Sequence, residues 1–85
     1  MNIEIKDTSH GPVYLQIREQ INKQITEKTI DGGAKLPSPD ELARRLQVDR
    51  GEVQRAYFEL EQSGLIEKRT SKDFLGGTKT SYFAK

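Results

Sequence analysis

The run LPSPDELARRLQVDRGEVQRAYFELEQSGLIEKR, Leu36 to Arg69, decides the fold of this 85-residue chain. Ser38-Pro39-Asp40-Glu41 starts a helix. Ser38 can cap, Pro39 suits the first turn, and Glu41 stands three residues past the cap as in a capping box. Leu42, Ala43 and Leu46 give the buried stripe, and Gln47-Val48 carries a turn. Asp49 caps the next helix, with Glu52 three residues on. Val53, Ala56, Tyr57 and Leu60 are its apolar face, and Ser63-Gly64 ends it. Leu65-Ile66 then enters a strand.

Outward from this centre the pattern is simpler. Pro12 opens an earlier helix, where a missing N–H costs nothing. Tyr14, Ile17, Ile21 and Ile25 line one face of it to about Lys28, and Asp31-Gly32-Gly33 breaks the periodicity. Residues 1–11 read as a loosely held extended arm, whose Asn2-Ile3-Glu4-Ile5-Lys6 alternates like a short edge strand. On the other side, Gly76-Gly77 suits a two-residue hairpin turn, and Thr78 to Phe83 suits a returning strand.

The expected domain is mainly α with a small β-hairpin. Helices near 13–28, 38–46 and 50–63 form a three-helix core, with a wing from about 65 to 84. Residues 12–85 make one winged helix-turn-helix domain, preceded by the arm. Such a shape fits one helix into the DNA major groove.

Composition narrows the function classes. Without cysteine there is neither a disulfide framework nor a thiolate metal site, and His10 alone cannot build a histidine site. His10 lies in the polar stretch DTSHG and reads as a solvated loop residue. No apolar run approaches the ~20 residues that span a bilayer, and MNIEIKDTSH lacks the basic and apolar regions of a signal peptide. A cytoplasmic, nucleoid-associated location is the expectation, with no membrane partner. No Ser/His/acid set, phosphate loop or placeable carboxylate pair is present, so neither an enzyme nor a cofactor is expected.

Charge is unevenly spread. The formal net charge is only +1. From Ser38 to Ser63 the balance is −2, whereas from Gly64 to Lys85 it is +3. The positive field therefore lies on the hairpin, through Lys68, Arg69, Lys72 and Lys79.

From Pro12 to Arg69 the chain resembles the DNA-binding domain of the GntR family of bacterial transcriptional regulators. The resemblance is carried by PVYLQI, by Ile30 and Gly33 ahead of LPS, by ELA, and by Val48 and Arg50 around the turn. It continues through Val53, Ala56, Tyr57, Leu60-Glu61 and Gly64-Leu65-Ile66 to Arg69. It implies a transcriptional regulator that binds double-stranded DNA as a homodimer. Family members usually dimerise through a C-terminal, metabolite-sensing half. The expectation here is an excised domain, or a short protein pairing through its first helix or residues 1–11.

The resemblance implies DNA contacts from Arg50, in the major groove, and from Arg69, on the flank; the same layout points Gln54 and Arg55 toward the groove, with Arg44 or Arg45 near the backbone and Lys72 on the flank beside Arg69. Arg pairs bidentately with guanine and Gln with adenine. The plainer readings are a surface Arg50 paired with Asp49 or Gln54, ordinary helix polarity at Gln54 and Arg55, and wing lysines that blunt edge pairing. Gly51 would leave room for a backbone to approach, while weakening its helix by roughly 1 kcal/mol against Ala.

Three acids depart from the family pattern. Members commonly carry Arg at the position of Asp40, Ser at Asp49 and Thr at Glu52. Carboxylates there favour the helix N-termini but compete with phosphate for the same donors. They open an alternative: a winged-helix module that binds protein, with DNA affinity weakened or lost. The wing tip also departs. Either the wing is longer and SYFAK supplies its final strand, or Phe74-Leu75 does; the longer wing is the preferred expectation. Tyr14, Tyr57 and Phe58 could stack on bases, although Tyr57 belongs to the apolar face.

Overall fold

The computed structural model describes residues 1–85. Helices α1 (Val13–Thr26), α2 (Pro39–Leu46) and α3 (Arg50–Gln62) are joined to a small antiparallel sheet of β1 (Lys35–Leu36), β2 (Ile66–Lys72) and β3 (Thr78–Ala84). The sheet order is β1-β3-β2. This is a winged helix-turn-helix, as the sequence leads one to expect.

One core unites all the elements. Ile17 and Ile21 of α1 meet Leu42 and Ala43 of α2 and Val53, Ala56, Tyr57 and Leu60 of α3, and Ile66 and Ala84 close the base of the sheet. Tyr57 is the largest fully buried side chain, and its hydroxyl donates to the Pro37 carbonyl at 2.7 Å. Its ring meets Tyr82 edge-on, centroids 5.0 Å apart. Burial, with Tyr82 nearby, raises the pKa of this phenol well above the ordinary tyrosine range.

Between α2 and α3 the chain turns on Gln47, which adopts the left-handed conformation at φ 56° and ψ 47°. That one residue lets the Val48 N–H reach the Ala43 carbonyl at 3.1 Å and redirects the chain into α3. At the start of α2 Ser38 caps as expected, its Oγ accepting from the Glu41 N–H at 3.1 Å, but the capping box is only half made, because the Glu41 carboxylate turns to Arg45 at 2.6 Å.

The arm departs from expectation. Residues 1–7 form no strand, yet they are not loose. Gln16, Gln20 and Gln24 of α1 each pair with one arm residue through both amide atoms. The Oε1 of Gln16 accepts from the Lys6 N–H (2.7 Å), and its Nε2 donates back to the Lys6 carbonyl (3.0 Å). Gln20 does the same with Glu4 (2.9 and 2.7 Å), and Gln24 with Asn2 (3.4 and 2.6 Å). Two residues of extended chain advance about 6.6 Å, and four residues of helix advance about 6.0 Å. That near-match lets one rung repeat three times. Ile3 and Ile5, on the alternate positions, pack against the core.

The wing is the longer of the two expected forms, with β3 taking in the SYFA of SYFAK. Its turn differs from the two-residue turn expected at Gly76-Gly77. The Asp73 N–H donates to the Gly77 carbonyl (2.9 Å), and the Gly76 N–H donates to the Asp73 carbonyl (3.1 Å). Phe74, Leu75 and Gly76 thus form a three-residue loop, with Gly76 at φ 87°. The Asp73 carboxylate tips the balance, because its Oδ1 accepts from both the Leu75 and Gly77 N–H groups at 2.9 Å. Strand β1 had no counterpart in the sequence reading; it pairs Lys35 with Phe83 and Leu36 with Tyr82. No helix is long and apolar enough to cross a membrane.

Candidate nucleic-acid interface

Helix α3 is buried along one side only. Val53, Ala56, Tyr57 and Leu60 face the core, while Arg50, Gly51, Gln54, Arg55 and Phe58 are exposed. The expected contact residues Arg50, Gln54 and Arg55 therefore share the accessible side of one helix. Arg44 and Arg45 lie in the last turn of α2, immediately before the turn, and both are exposed. Arg69 and Lys72 lie on β2. Successive strand residues alternate faces, so these two project from opposite sides of the wing.

Most of the arginines already hold a carboxylate. Arg50 pairs with Asp40, across the α2–α3 junction. Arg45 pairs with Glu41 one turn back at 2.6 Å, and Arg69 with Glu67 at 3.0 Å. Arg55 reaches Glu59 at 3.3 Å while its guanidinium lies 3.7 Å from the centre of the Tyr14 ring. Arg69 lies over the Phe83 ring at 4.5 Å. Arg44 and Lys72 stand outside every ion pair. Exposed pairs of this kind contribute little to stability, so a phosphate can compete for the cation.

The three acids have different fates. Asp40 sits against Arg50, a partner that the reading of a surface Arg50 against Asp49 or Gln54 did not include. Asp49 occupies the cap position of α3 without a side-chain hydrogen bond, contrary to expectation. Glu52 does not close a capping box on its own helix. Its Oε2 accepts from the Tyr14 N–H at 2.8 Å, at the first turn of α1. The cause is a local deficit. Helix α1 begins after Pro12, has no side-chain cap of its own and has no acid in its first turn. Its free donors and positive end draw in the nearest carboxylate. Glu52 is thereby turned toward α1.

A second ionic contact fastens the same two helices. Arg18 of α1 pairs with Glu59 of α3, and with Glu19 at 3.0 Å. The hydrogen bond from Arg18 holds the Glu59 carboxyl below the usual carboxylate range, and the Arg55 contact adds to it. The guanidinium of Arg18 is shifted upward in turn, through Glu19 first and Glu59 second.

The three aromatics considered for stacking are separated by the fold. Tyr57 is core, Tyr14 lies beneath Arg55, and Phe58 stands 60% exposed on α3. The hairpin projects freely, for every residue from Lys68 to Thr80 is exposed. Phe74 and Leu75 at its tip are 95% and 82% exposed, a feature the sequence reading missed. Their place beside a Gly pair was the available signal.

Comparison with known proteins gives a consistent result. The sequence model described as "Bacterial regulatory proteins, gntR family" matches residues 13–74. The HTH-type transcriptional regulator YhcF of Bacillus subtilis is 41% identical over 61 residues, which cover 72% of this chain and 50% of that protein. The chain thus spans about half the length of such curated relatives. Among solved structures, YtrA from Sulfolobus acidocaldarius, a GntR-family transcription factor, superposes with a TM-score of 0.77 at 32% identity, covering all of this chain and 64% of that one. A crystal structure of AraR(DBD) in complex with operator ORR3 gives 0.63 at 26% identity, covering all of this chain and 88% of that one. With its three-helix core, its projecting hairpin and a family match over most of its length, the chain belongs to the GntR family of bacterial regulators.

Proposed function

We propose that this chain is the DNA-binding part of a transcriptional regulator, acting in the cytoplasm on double-stranded DNA. Helix α3 enters the major groove with Arg50, Gln54 and Arg55 toward the bases. Arg44 and Arg45 sit near the backbone, and Arg69 and Lys72 hold the flank. The observation that carries this reading is the one-sided burial of α3 beside an exposed cationic hairpin. The operator-bound AraR(DBD), similar in fold, supports it. An exposed Arg–Asp or Arg–Glu pair is also a reserve of cations that phosphate can recruit.

The active form is a homodimer that sets two α3 helices about 34 Å apart, one turn of DNA. Regulation, rather than catalysis, is the role, as for the regulators of its family.

The test is a fluorescence titration on mixed-sequence DNA at low salt, with wild type, Arg50→Ala and Gln54→Ala. Non-specific binding in the ~10⁻⁴–10⁻⁶ M range is expected for wild type. Arg50→Ala should weaken it and flatten the salt dependence. Absence of binding at tens of micromolar would overturn the reading in favour of a protein-binding module. Sedimentation of the DNA complex reads the dimer: two chains per short palindromic duplex are expected, and one chain per duplex defeats that part.

A further inference from the structure

We infer that Phe74 and Leu75 form an apolar wedge that enters the DNA minor groove and parts a base step, with Lys72 and Lys79 holding the phosphate walls on either side. The inference rests on the DNA-binding reading and adds to it a contact that reads deformability instead of base edges.

Exposure comes first. Two large apolar side chains stand at the farthest point of the hairpin, 95% and 82% exposed, without a neighbour in their own domain to cover them. Isolated exposed apolar residues are common, but a Phe-Leu pair at the corner of a turn is an unfavourable arrangement for water alone.

The corner is also built. Asp73 Oδ1 takes the Leu75 and Gly77 N–H groups, and the backbone closes the loop on both sides. This fixes Phe74 and Leu75 at the two central positions of the turn, where side chains point away from the strands. The same bonds occupy the Asp73 carboxylate, the only acid between Lys68 and Thr80. A repulsive charge at the tip is thereby partly answered by donors.

The flanking charges select the partner. Lys72 faces Thr78 across the ladder, and Lys79 faces Ser71, one step further from the tip. Alternation puts these two lysines on opposite faces of the hairpin. A groove with anionic walls on both sides meets both. Only the turn itself, Phe74 and Leu75, has to enter the groove; the hydroxyl-bearing Thr70, Ser71, Thr78 and Thr80 lie on the paired strands behind it.

The experiment is relaxation of closed-circular plasmid by topoisomerase I in the presence of the full chain, paired with a binding titration at the same salt. Parting a base step unwinds the duplex, so wild type should leave a linking-number deficit that grows with bound protein. A Phe74→Ser/Leu75→Ser double variant should bind with an unchanged salt slope, since no phosphate contact is removed. Its deficit should fall to background. Lys72→Ala should keep the deficit per bound chain and lower the salt slope by about one contact. Both changes lie on exposed positions, and matched thermal melts check the fold.

Equal unwinding by the double variant and wild type overturns the wedge. So does binding by wild type without any deficit. A double variant that keeps its DNA behaviour but no longer sediments with phosphatidylglycerol vesicles, or no longer self-associates, would assign the tip to lipid or to a second copy and also overturn it. If wild type fails to bind DNA at all, the underlying reading falls with it, which is a different result from bound protein that does not unwind.

Discussion

The carboxylate of Glu52, in the first turn of α3, accepts a 2.8 Å hydrogen bond from the backbone N–H of Tyr14, in the first turn of α1. One acid thus caps a helix 38 residues away in sequence. Caps contribute about 0.5–2 kcal/mol, with a further contribution from the helix dipole. Glu52→Ala should therefore lower stability by about 1 kcal/mol, a fall in Tm of roughly 4–8 °C for a domain of this size. Thermal denaturation followed by circular dichroism measures it. Unaltered stability would mean that the contact adds nothing beyond what water supplies to α1.

The same residue shows where sequence reading stops. Helices α2 and α3 were legible because their signals are local: Ser38 and Glu41 act three residues apart, and the stripe Val53, Ala56, Tyr57, Leu60 repeats with the helix. Glu52 offers an equally local signal, yet it points elsewhere, because the stronger demand comes from an uncapped α1 that only tertiary packing brings near. Strand β1 is two residues long, too short to show alternation. The arm's partners are glutamines spaced by four on the flank of α1, and polar residues there read as solvent-facing until the arm is laid on them. Of the candidate site, the exposure of Arg50, Gln54 and Arg55 was legible from periodicity. The carboxylate partner of Arg50 was not, since Asp40 and Arg50 meet only once the turn at Gln47 has folded.

Gly51 separates stability from binding. A Cβ at this position would meet nothing within 4 Å, and the glycine lies inside the first turn of α3. Gly51→Ala should therefore raise stability, by up to about 1 kcal/mol. It should also weaken DNA binding, because the methyl group stands where the duplex backbone would approach. Denaturant unfolding and a DNA titration on the same preparation give both signs. Higher stability with unchanged affinity would move the duplex away from the start of α3.

Asp40 restrains Arg50. Both side chains are more than half exposed, so the pair itself contributes little to the fold. Asp40→Asn should leave Tm nearly unchanged and free the guanidinium for phosphate. Affinity should rise, and the slope of log K against log salt should steepen by about 0.9 for one added contact. Unchanged affinity and slope would show that Arg50 does not meet the duplex.

Gln16 anchors the arm. It is 8% exposed and serves the Lys6 N–H, the Lys6 carbonyl and the Gly11 carbonyl at 2.7, 3.0 and 2.9 Å. Gln16→Ala leaves these groups without a protein partner, at a cost of about 1–3 kcal/mol. Hydrogen exchange gives the sharper test. In wild type the amides of Asn2, Glu4 and Lys6 should exchange more slowly than those of Ile3 and Ile5, and the variant should lose that alternation. Uniform exchange along the wild-type arm would contradict the glutamine rungs.

Glu59 sets an acid limit to the α1–α3 contact. Its native pKa lies below the ordinary value, chiefly through the hydrogen bond from Arg18. A depressed carboxylate pKa gives stability that is fully present above the unfolded value, near 4.3, and is lost as pH falls through the native one. Wild type should thus melt above Glu59→Gln at neutral pH, and the two curves should converge as pH drops from about 5 into the acid range. The variant keeps the shape and one acceptor oxygen, so packing is conserved while the charge is removed. A gap between the two Tm values that persists to the lowest pH at which both fold would show that the ionised form of Glu59 is not what holds the helices together.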